Sequence, residues 1–270
     1  MASQSQQSFD PAHDFWLRPL IGAITVLGLL SVVSTSCIDH QRGISDRADV
    51  TPVRRTAGRS VQGRPIEYVT FGRGKDVVLI LATIHGDEDA GTPLLHELER
   101  RLETRGDLIK GKRVVLMAVA NPDGYAAQSR LNVRGVDLNR NFPAGNFDDK
   151  GNHGERPLSE PESVALHALI DRERPARIIS IHQPLNYGSA CIDYDGPGEP
   201  LAGAMARFCE LPVNRIGSRP GSLGSYAGET LGTPIITLEL PKEAKGQSGQ
   251  KLWQDYGQML LAAITYPHSP

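Results

Sequence analysis

Six consecutive apolar residues, Val77-Val78-Leu79-Ile80-Leu81-Ala82, constrain this chain more than any other stretch. A strand with no polar side has no face for water, so it belongs inside a sheet that is covered on both faces. Residues 113–120, 178–182 and 234–240 have a similar character and read as further strands. Leu94, Leu95, Leu98 and Leu102 recur at helical spacing between the first two runs, which predicts a helix over residues 89–104 and a strand–helix–strand crossover. Helices are also predicted over residues 199–209 and 250–265. In Ser159-Glu160-Pro161-Glu162, Ser159 reads as a helix cap, with the two carboxylates in the first turn and Pro161 near the first helical position. Residues 66–71 alternate like an edge strand. The expected fold is α/β, a single domain spanning residues 53–270, with a mixed, largely parallel central sheet flanked by helices.

The charge balance narrows the partners. With 29 Lys and Arg against 31 Asp and Glu, no basic excess points to nucleic acid, and a small molecule or peptide is expected instead. The three cysteines, Cys37, Cys191 and Cys209, contain no Cys-x-x-Cys pair, which excludes a thiolate zinc module and a disulfide-dense scaffold. Any metal must therefore sit on His and carboxylates.

Residues 1–37 read as an N-terminal leader. Residues 20–33 are apolar and uncharged, the length of a signal-peptide core, and lead into Ser34-Thr35-Ser36-Cys37, which looks like a lipoprotein cleavage site with Ser34 in place of the usual Leu. The alternative is an uncleaved membrane anchor. Arg42, Arg47, Arg54 and Arg55 follow the apolar run while only Arg18 precedes it, so an anchor would leave the following domain in the cytoplasm. A processed lipoprotein would place it in the cell envelope, membrane-associated or periplasmic. Both readings expect membrane association through the N-terminal segment, and residues 38–52 read as a linker.

Three of the predicted strands end in His85, His182 and Glu239. Ligands of open α/β sheets bind outside the carboxyl ends of the strands, so side chains distant in sequence converge there. His85-Gly86-Asp87-Glu88 adds a carboxylate three residues after the first His, although such a pair is also common between surface neighbours. Two His and one carboxylate with an open fourth position is a hydrolytic zinc arrangement, in which the ion brings a water's pKa to near neutrality. A second carboxylate, Glu239, is the candidate that takes the proton from that water. Residues 135–154, rich in Asn, Gly and Asp and without periodicity, read as a long functional loop.

Taken together, His85-Gly86-Asp87-Glu88, Gly135-Val136-Asp137-Leu138-Asn139-Arg140-Asn141-Phe142, His182 after Ile179-Ser180-Ile181, and Leu238-Glu239-Leu240 resemble the zinc carboxypeptidase family in identity and order. The turn over residues 58–65 and Ala120-Asn121-Pro122-Asp123-Gly124 are similar to it as well. The resemblance implies one zinc ion per chain on His85, Glu88 and His182, with Glu239 as general base. It implies that Asn139 and Arg140 grip the substrate's terminal carboxylate, that Arg130 polarises the scissile carbonyl, and that Asp137 orients His85.

Within the family, His182-Gln183-Pro184-Leu185, residues 192–197 and residues 221–229 look most like the branch that cuts peptidoglycan peptides between γ-D-glutamate and meso-diaminopimelate. The mobile Tyr of digestive members has no counterpart in Ile216-Gly217-Ser218-Arg219-Pro220, and Tyr226 is the nearest tyrosine. The ammonium of a diaminopimelate side chain calls for an acidic group, with Asp193, Asp195 and Glu229 as unranked candidates. Cys191 and Cys209 either pair, outside the cytoplasm, or are buried free thiols. Two other enzyme readings share these motifs, a general metallocarboxypeptidase and a deacylase of the aspartoacylase or succinylglutamate desuccinylase kind.

Overall fold

A computed structural model describes residues 50–183 and 190–267. The leader, Cys37, residues 38–49 of the linker, and Pro184 and Leu185 lie outside the described residues. Among the described residues, no helix is long and apolar enough to cross a membrane.

The chain forms strands β1 (Val53–Arg59), β2 (Pro65–Phe71), β3 (Asp76–Ala82), β4 (Lys112–Met117), β5 (Arg177–His182), β6 (Cys191–Asp195) and β7 (Ile235–Glu239). They build one seven-stranded sheet in the order β1-β2-β4-β3-β5-β7-β6. The four central strands β4, β3, β5 and β7 run parallel, and the flanking pairs β1–β2, β2–β4 and β6–β7 are antiparallel. This is the mixed, largely parallel sheet that the apolar runs predict, and those runs supply its centre. Two details differ. The strand at residues 66–71 is not an edge, because β1 pairs outside it. Charged residues on β1 (Arg54, Arg55, Arg59) hide that strand from a hydrophobicity pattern and also suit it to an exposed edge. At the other edge, β6 was not expected, since its Asp193 and Asp195 break the apolar pattern.

Among the described residues, five α-helices accompany the sheet: α1 (Gly91–Leu102), α2 (Pro122–Ala127), α3 (Pro161–Glu173), α4 (Glu199–Ala206) and α5 (Gly249–Thr265). Val78, Ile80 and Ala82 of β3 face a cluster with Leu94, Leu95, Leu98 and Leu102 of α1 and Leu252, Met259 and Leu260 of α5. Val77, Leu79 and Leu81 face a second cluster with Leu166, Leu169 and Ile170 of α3, Phe142 and Tyr226. Each fully buried Leu or Ile contributes about 1.5–3 kcal/mol relative to exposure, which is why the strand with two apolar faces takes the middle of the sheet. The buried guanidinium of Arg177 reaches Asp76 at 2.7 Å and donates to the carbonyls of Ala263 and Ile264, each at 2.7 Å. It thereby supplies a cation to carbonyls that the end of α5 leaves without helical partners.

Ser159 does not cap α3. Glu160 occupies the cap position without a side-chain cap bond, and Pro161 begins the helix as expected. The Ser159 hydroxyl is held elsewhere, by Asn141 and Glu160. Both glutamates act as scaffold: Asn132 Nδ2 donates to Glu160 at 2.7 Å, and the Val61 N–H donates to Glu162 at 3.0 Å. The 58–65 turn is pinned in the same way, because the buried Asp123 carboxylate accepts from Ser60 Oγ at 2.8 Å and from the Gln62 N–H at 2.9 Å.

The topology sets where a ligand can bind. From β3 the chain crosses through α1 to β4 on one side and later returns to β5 on the other, so the order reverses at β3. A crevice opens at the carboxyl ends of strands on either side of such a reversal. In the register of the sheet, Ala82 pairs with Ile181 and His182 pairs with Glu239, which lines up the ends of β3, β5 and β7.

Candidate metal centre and substrate cleft

His85 lies three residues beyond the end of β3, on a turn. Thr83 starts that turn with φ of 54°, a left-handed conformation that costs a β-branched residue of the order of 1–3 kcal/mol. Hydrogen bonds over-determine it: the Thr83 hydroxyl meets that of Thr92 at 2.8 Å, and the Asn121 N–H donates to the Thr83 carbonyl at 3.0 Å. Gly86 is required next, because a Cβ there would stand 2.0 Å from the Gly124 carbonyl carbon. The Glu88 N–H then closes on the His85 carbonyl at 3.1 Å, which turns both side chains the same way.

His85, Glu88 and His182 meet at one buried point, with one ligand atom from each lying within 4.8 Å of the others. His85 Nδ1 is 2.9 Å from Glu88 Oε1, and His182 Nδ1 is 2.8 Å from Glu88 Oε2. The far nitrogen of each imidazole has its own partner: His85 Nε2 lies 3.0 Å from Asp137 Oδ1, and His182 Nε2 lies 3.0 Å from Ser180 Oγ. Such outer contacts fix ring orientation and leave the inner lone pair for a metal.

Charge at this point also calls for a cation. Burial alone would push His85 down, but Glu88 and Asp137 reverse that and raise it to about 9. Despite their own burial, Glu88 and Asp137 are held below the usual carboxylate range, chiefly by the histidines. The carboxylates hold a proton on His85 where a divalent ion would serve both. Two imidazole nitrogens and a carboxylate oxygen form a donor set that suits zinc with one position left for water. The residues therefore fit the metal.

The long loop contributes the remaining groups. Asp137 caps the short 3₁₀ turn Leu138–Arg140, accepting from the Asn139 N–H at 2.9 Å while its other contact holds His85. Asn139 Oδ1 accepts from the Leu223 N–H at 2.9 Å, which turns its NH2 group toward the cleft. Arg130 is tied down more tightly than expected. Its Nε and Nη2 donate to Asp137 at 3.2 and 3.1 Å, and its Nη1 donates to Glu88 at 2.7 Å. Burial and the neighbouring cations Arg130 and Arg219 lower Arg140, with Asp137 opposing them. Arg219 therefore joins the cationic end of the cleft, a residue that sequence reasoning passed over. Ser180 was likewise missed, although its place two residues before His182 on one strand face was a usable signal.

Glu239 ends β7 beside His182, and its Oε2 is buried without a hydrogen-bond partner. Burial raises its pKa, with Glu88 and Asp193 adding to the rise and the two histidines opposing it. Together with the metal donors, Asn139, Arg140, Asp195 and Arg219, it lines a cleft of about 230 Å³.

Two open alternatives are decided here. Tyr226 does not reach the cleft. It is 4% exposed, stacks on Phe142 with centroids 6.0 Å apart, and is pushed up to about 12 by burial and Asp171 of α3. Ile216 instead lines the cleft and is half exposed. Cys191 and Cys209 are free thiols, with Cys191 buried opposite Glu239 and Cys209 3.5 Å from the Met259 sulfur.

Comparison with known proteins agrees with this geometry. A profile of the zinc carboxypeptidase family matches residues 47–195. The murein peptide amidase A of Escherichia coli strain K12 is 35% identical over 226 residues, which cover 77% of this chain and 89% of the relative. The crystal structure of murein-tripeptide amidase from Escherichia coli O157 superposes with a TM-score of 0.63 at 31% identity, over 83% of this chain and 96% of that one. Carboxypeptidase A from Helicoverpa armigera shares the fold, with a TM-score of 0.64 at 20% identity over 88% of this chain and 75% of that one. With its two-histidine, one-glutamate donor set at the carboxyl ends of a carboxypeptidase-like sheet, this chain belongs to the zinc carboxypeptidase family.

Proposed function

We propose that this protein is a zinc-dependent amidase of murein peptides that hydrolyses the γ-D-glutamyl-meso-diaminopimelate bond. The observation that carries the reading is the shared cleft, which sets an unpaired carboxylate, Glu239, beside the donors His85, Glu88 and His182 and opposite the cations Arg140 and Arg219. The murein peptide amidases among its relatives support the substrate class. A zinc ion on these donors supplies a Lewis acid that acidifies water and polarises a carbonyl.

The chain's own residues carry the rest. Arg140 and the Asn139 NH2 group bind the free carboxylate of the leaving residue, which sets the scissile amide over the metal donors. Arg130, anchored at Asp137 through Nε and Nη2, keeps a second Nη1–H beyond the one given to Glu88 to offer the carbonyl oxygen as negative charge develops there. Glu239 accepts the proton of the attacking water and returns it to the departing amine. Asp137 and Ser180 keep the two imidazoles in the tautomer that presents Nδ1.

Zinc-loaded protein is expected to release free diaminopimelate from L-Ala-γ-D-Glu-meso-diaminopimelate, measured by amino-acid analysis. No release at a measured content of one zinc per chain would sink the reading. Cleavage of N-acyl amino acids but not of this peptide would favour the deacylase instead.

We place residues 1–37 as leader, 38–52 as linker and 53–270 as the catalytic domain, with the enzyme membrane-associated through that leader in the cell envelope. The small-residue run before Cys37 supports this reading. Mass spectrometry of the mature N-terminus checks it, and an intact, unmodified Met1 would rule out the processed lipoprotein.

A further inference from the structure

Three acidic side chains stand near the cleft, and their surroundings separate them. Asp193 is used by its own loop, since its Oδ1 accepts from the Ile216 N–H at 2.8 Å and from the Tyr194 N–H at 2.9 Å. Glu229 is exposed and faces Arg215 at 3.4 Å. Asp195 differs from both. It is 2% exposed, lines the cleft, and its Oδ1 is buried with no hydrogen-bond partner. A buried carboxylate oxygen left without a donor is costly unless something arrives to pair with it.

The fold makes room for this carboxylate. A Cβ on Gly224 would stand 2.1 Å from Asp195 Oδ2, so the glycine is needed for the side chain to lie where it does. Along β6, Cys191, Asp193 and Asp195 alternate onto the sheet face shared with Glu239, because Cys191 pairs with Glu239 and Asp195 with Ile235. Four residues of strand separate the level of Glu239 from that of Asp195, about 13 Å at roughly 3.3 Å per residue. The cleft thus carries the cations Arg140 and Arg219 near the metal donors and, at the level of Asp195, a buried carboxylate with one oxygen still free to accept. A leaving residue with a carboxylate at its α-carbon and a cation at the end of its side chain matches both charges. Burial, with Asp193 and Glu229 nearby, pushes Asp195 up to about 6 against the opposing pull of Arg215 and a hydrogen bond from Ser218, and an ammonium would relieve the crowding of negative charge.

We propose that Asp195 is the specificity-determining residue of the cleft, receiving the distal ammonium of a diamino acid as the leaving residue. This rests on the murein-peptide reading and names the side chain that would select its substrate.

The test compares L-Ala-γ-D-Glu-meso-diaminopimelate with the same peptide ending in 2-aminopimelate, which lacks only the distal ammonium. The zinc-loaded wild type should prefer the first by about 100-fold in kcat/KM, as expected for a charge-assisted contact to a buried carboxylate. In Asp195→Asn, still binding one zinc per chain, that preference should fall to within about threefold, through loss on the diaminopimelate peptide alone. Equal losses on both peptides, or an unchanged preference, would overturn the assignment. Calorimetric binding of free diaminopimelate and free 2-aminopimelate provides a readout that does not need turnover. If the wild type cuts neither peptide yet binds diaminopimelate in preference, and Asp195→Asn does not, Asp195 stands and the proposed reaction falls. If the two ligands bind the wild type equally, the assignment of Asp195 falls whatever the peptides show.

Discussion

Replacing Glu239 by Gln is expected to lower kcat by about a thousandfold while zinc stays at one per chain, since a positioned proton-transfer group contributes roughly 10²–10⁴-fold. The two effects separate because Glu239 is not among the three clustered donors, which are His85, Glu88 and His182. Its Oε2 is buried without a partner, so glutamine fills the same space and breaks no hydrogen bond of that oxygen within the protein. Burial already raises the carboxyl's proton affinity, which suits a group that must accept a proton and then release it. Single-turnover kinetics on the diaminopimelate peptide, alongside elemental analysis of the same sample, make the measurement. A variant retaining a tenth or more of wild-type kcat would remove Glu239 from the role of base.

His182→Ala should act on the metal itself. One of three protein ligands disappears, Glu88 Oε2 loses a contact of 2.8 Å, and Ser180 Oγ loses one of 3.0 Å. Zinc is expected to fall below about a tenth of an equivalent after gel filtration in dilute chelator, with activity lost in proportion, because tetrahedral sites of this class use three protein ligands. Metal binding that exists only in the folded state also contributes to stability, so the variant should melt at a temperature independent of added zinc, whereas the wild type should melt higher as zinc is added. Full zinc occupancy in the variant would mean that the ion sits elsewhere. Glu239→Gln and His182→Ala therefore give opposite patterns, one keeping metal without turnover and the other losing both.

Much of this site was legible in the chain. The apolar runs at β3, β4, β5 and β7 identify buried strands, because a segment without a polar face can only be covered twice. His182 and Glu239 stand as the last residues of two such strands, so their convergence follows from parallel alignment. His85 was legible for a different reason from the expected one, since β3 stops at Ala82 and a strained Thr83 and a crowded Gly86 carry the chain around to aim it. The edge strands were harder to read. Arg54, Arg55, Asp193 and Asp195 place charge where a pattern of hydrophobicity looks for none, and edges tolerate charge because water or a cleft lies beside them.

Other features were decided only in three dimensions. Tyr226 is the tyrosine nearest to Ile216–Pro220 in sequence, and only the fold shows its ring packed against Phe142, in the cluster that α3 covers. Arg219 became a neighbour of Arg140 only through the contact that joins Gly221 to Phe142, 2.9 Å across two loops far apart in sequence. Asp193 and Asp195 have the same residue type and lie on the same strand face, and no local pattern ranks them. Their difference comes from which backbone N–H groups the packed loops bring to each carboxylate. By itself the sequence determined the layers of the fold, because these follow from periodicity, and its resemblance to the zinc carboxypeptidase family pointed to His85, Glu88 and His182 as metal donors. The tertiary structure alone decided that Glu239 Oε2 and Asp195 Oδ1 face the cleft without a donor while Asp193 is satisfied, because hydrogen-bond satisfaction is settled between segments that meet only when the chain is folded.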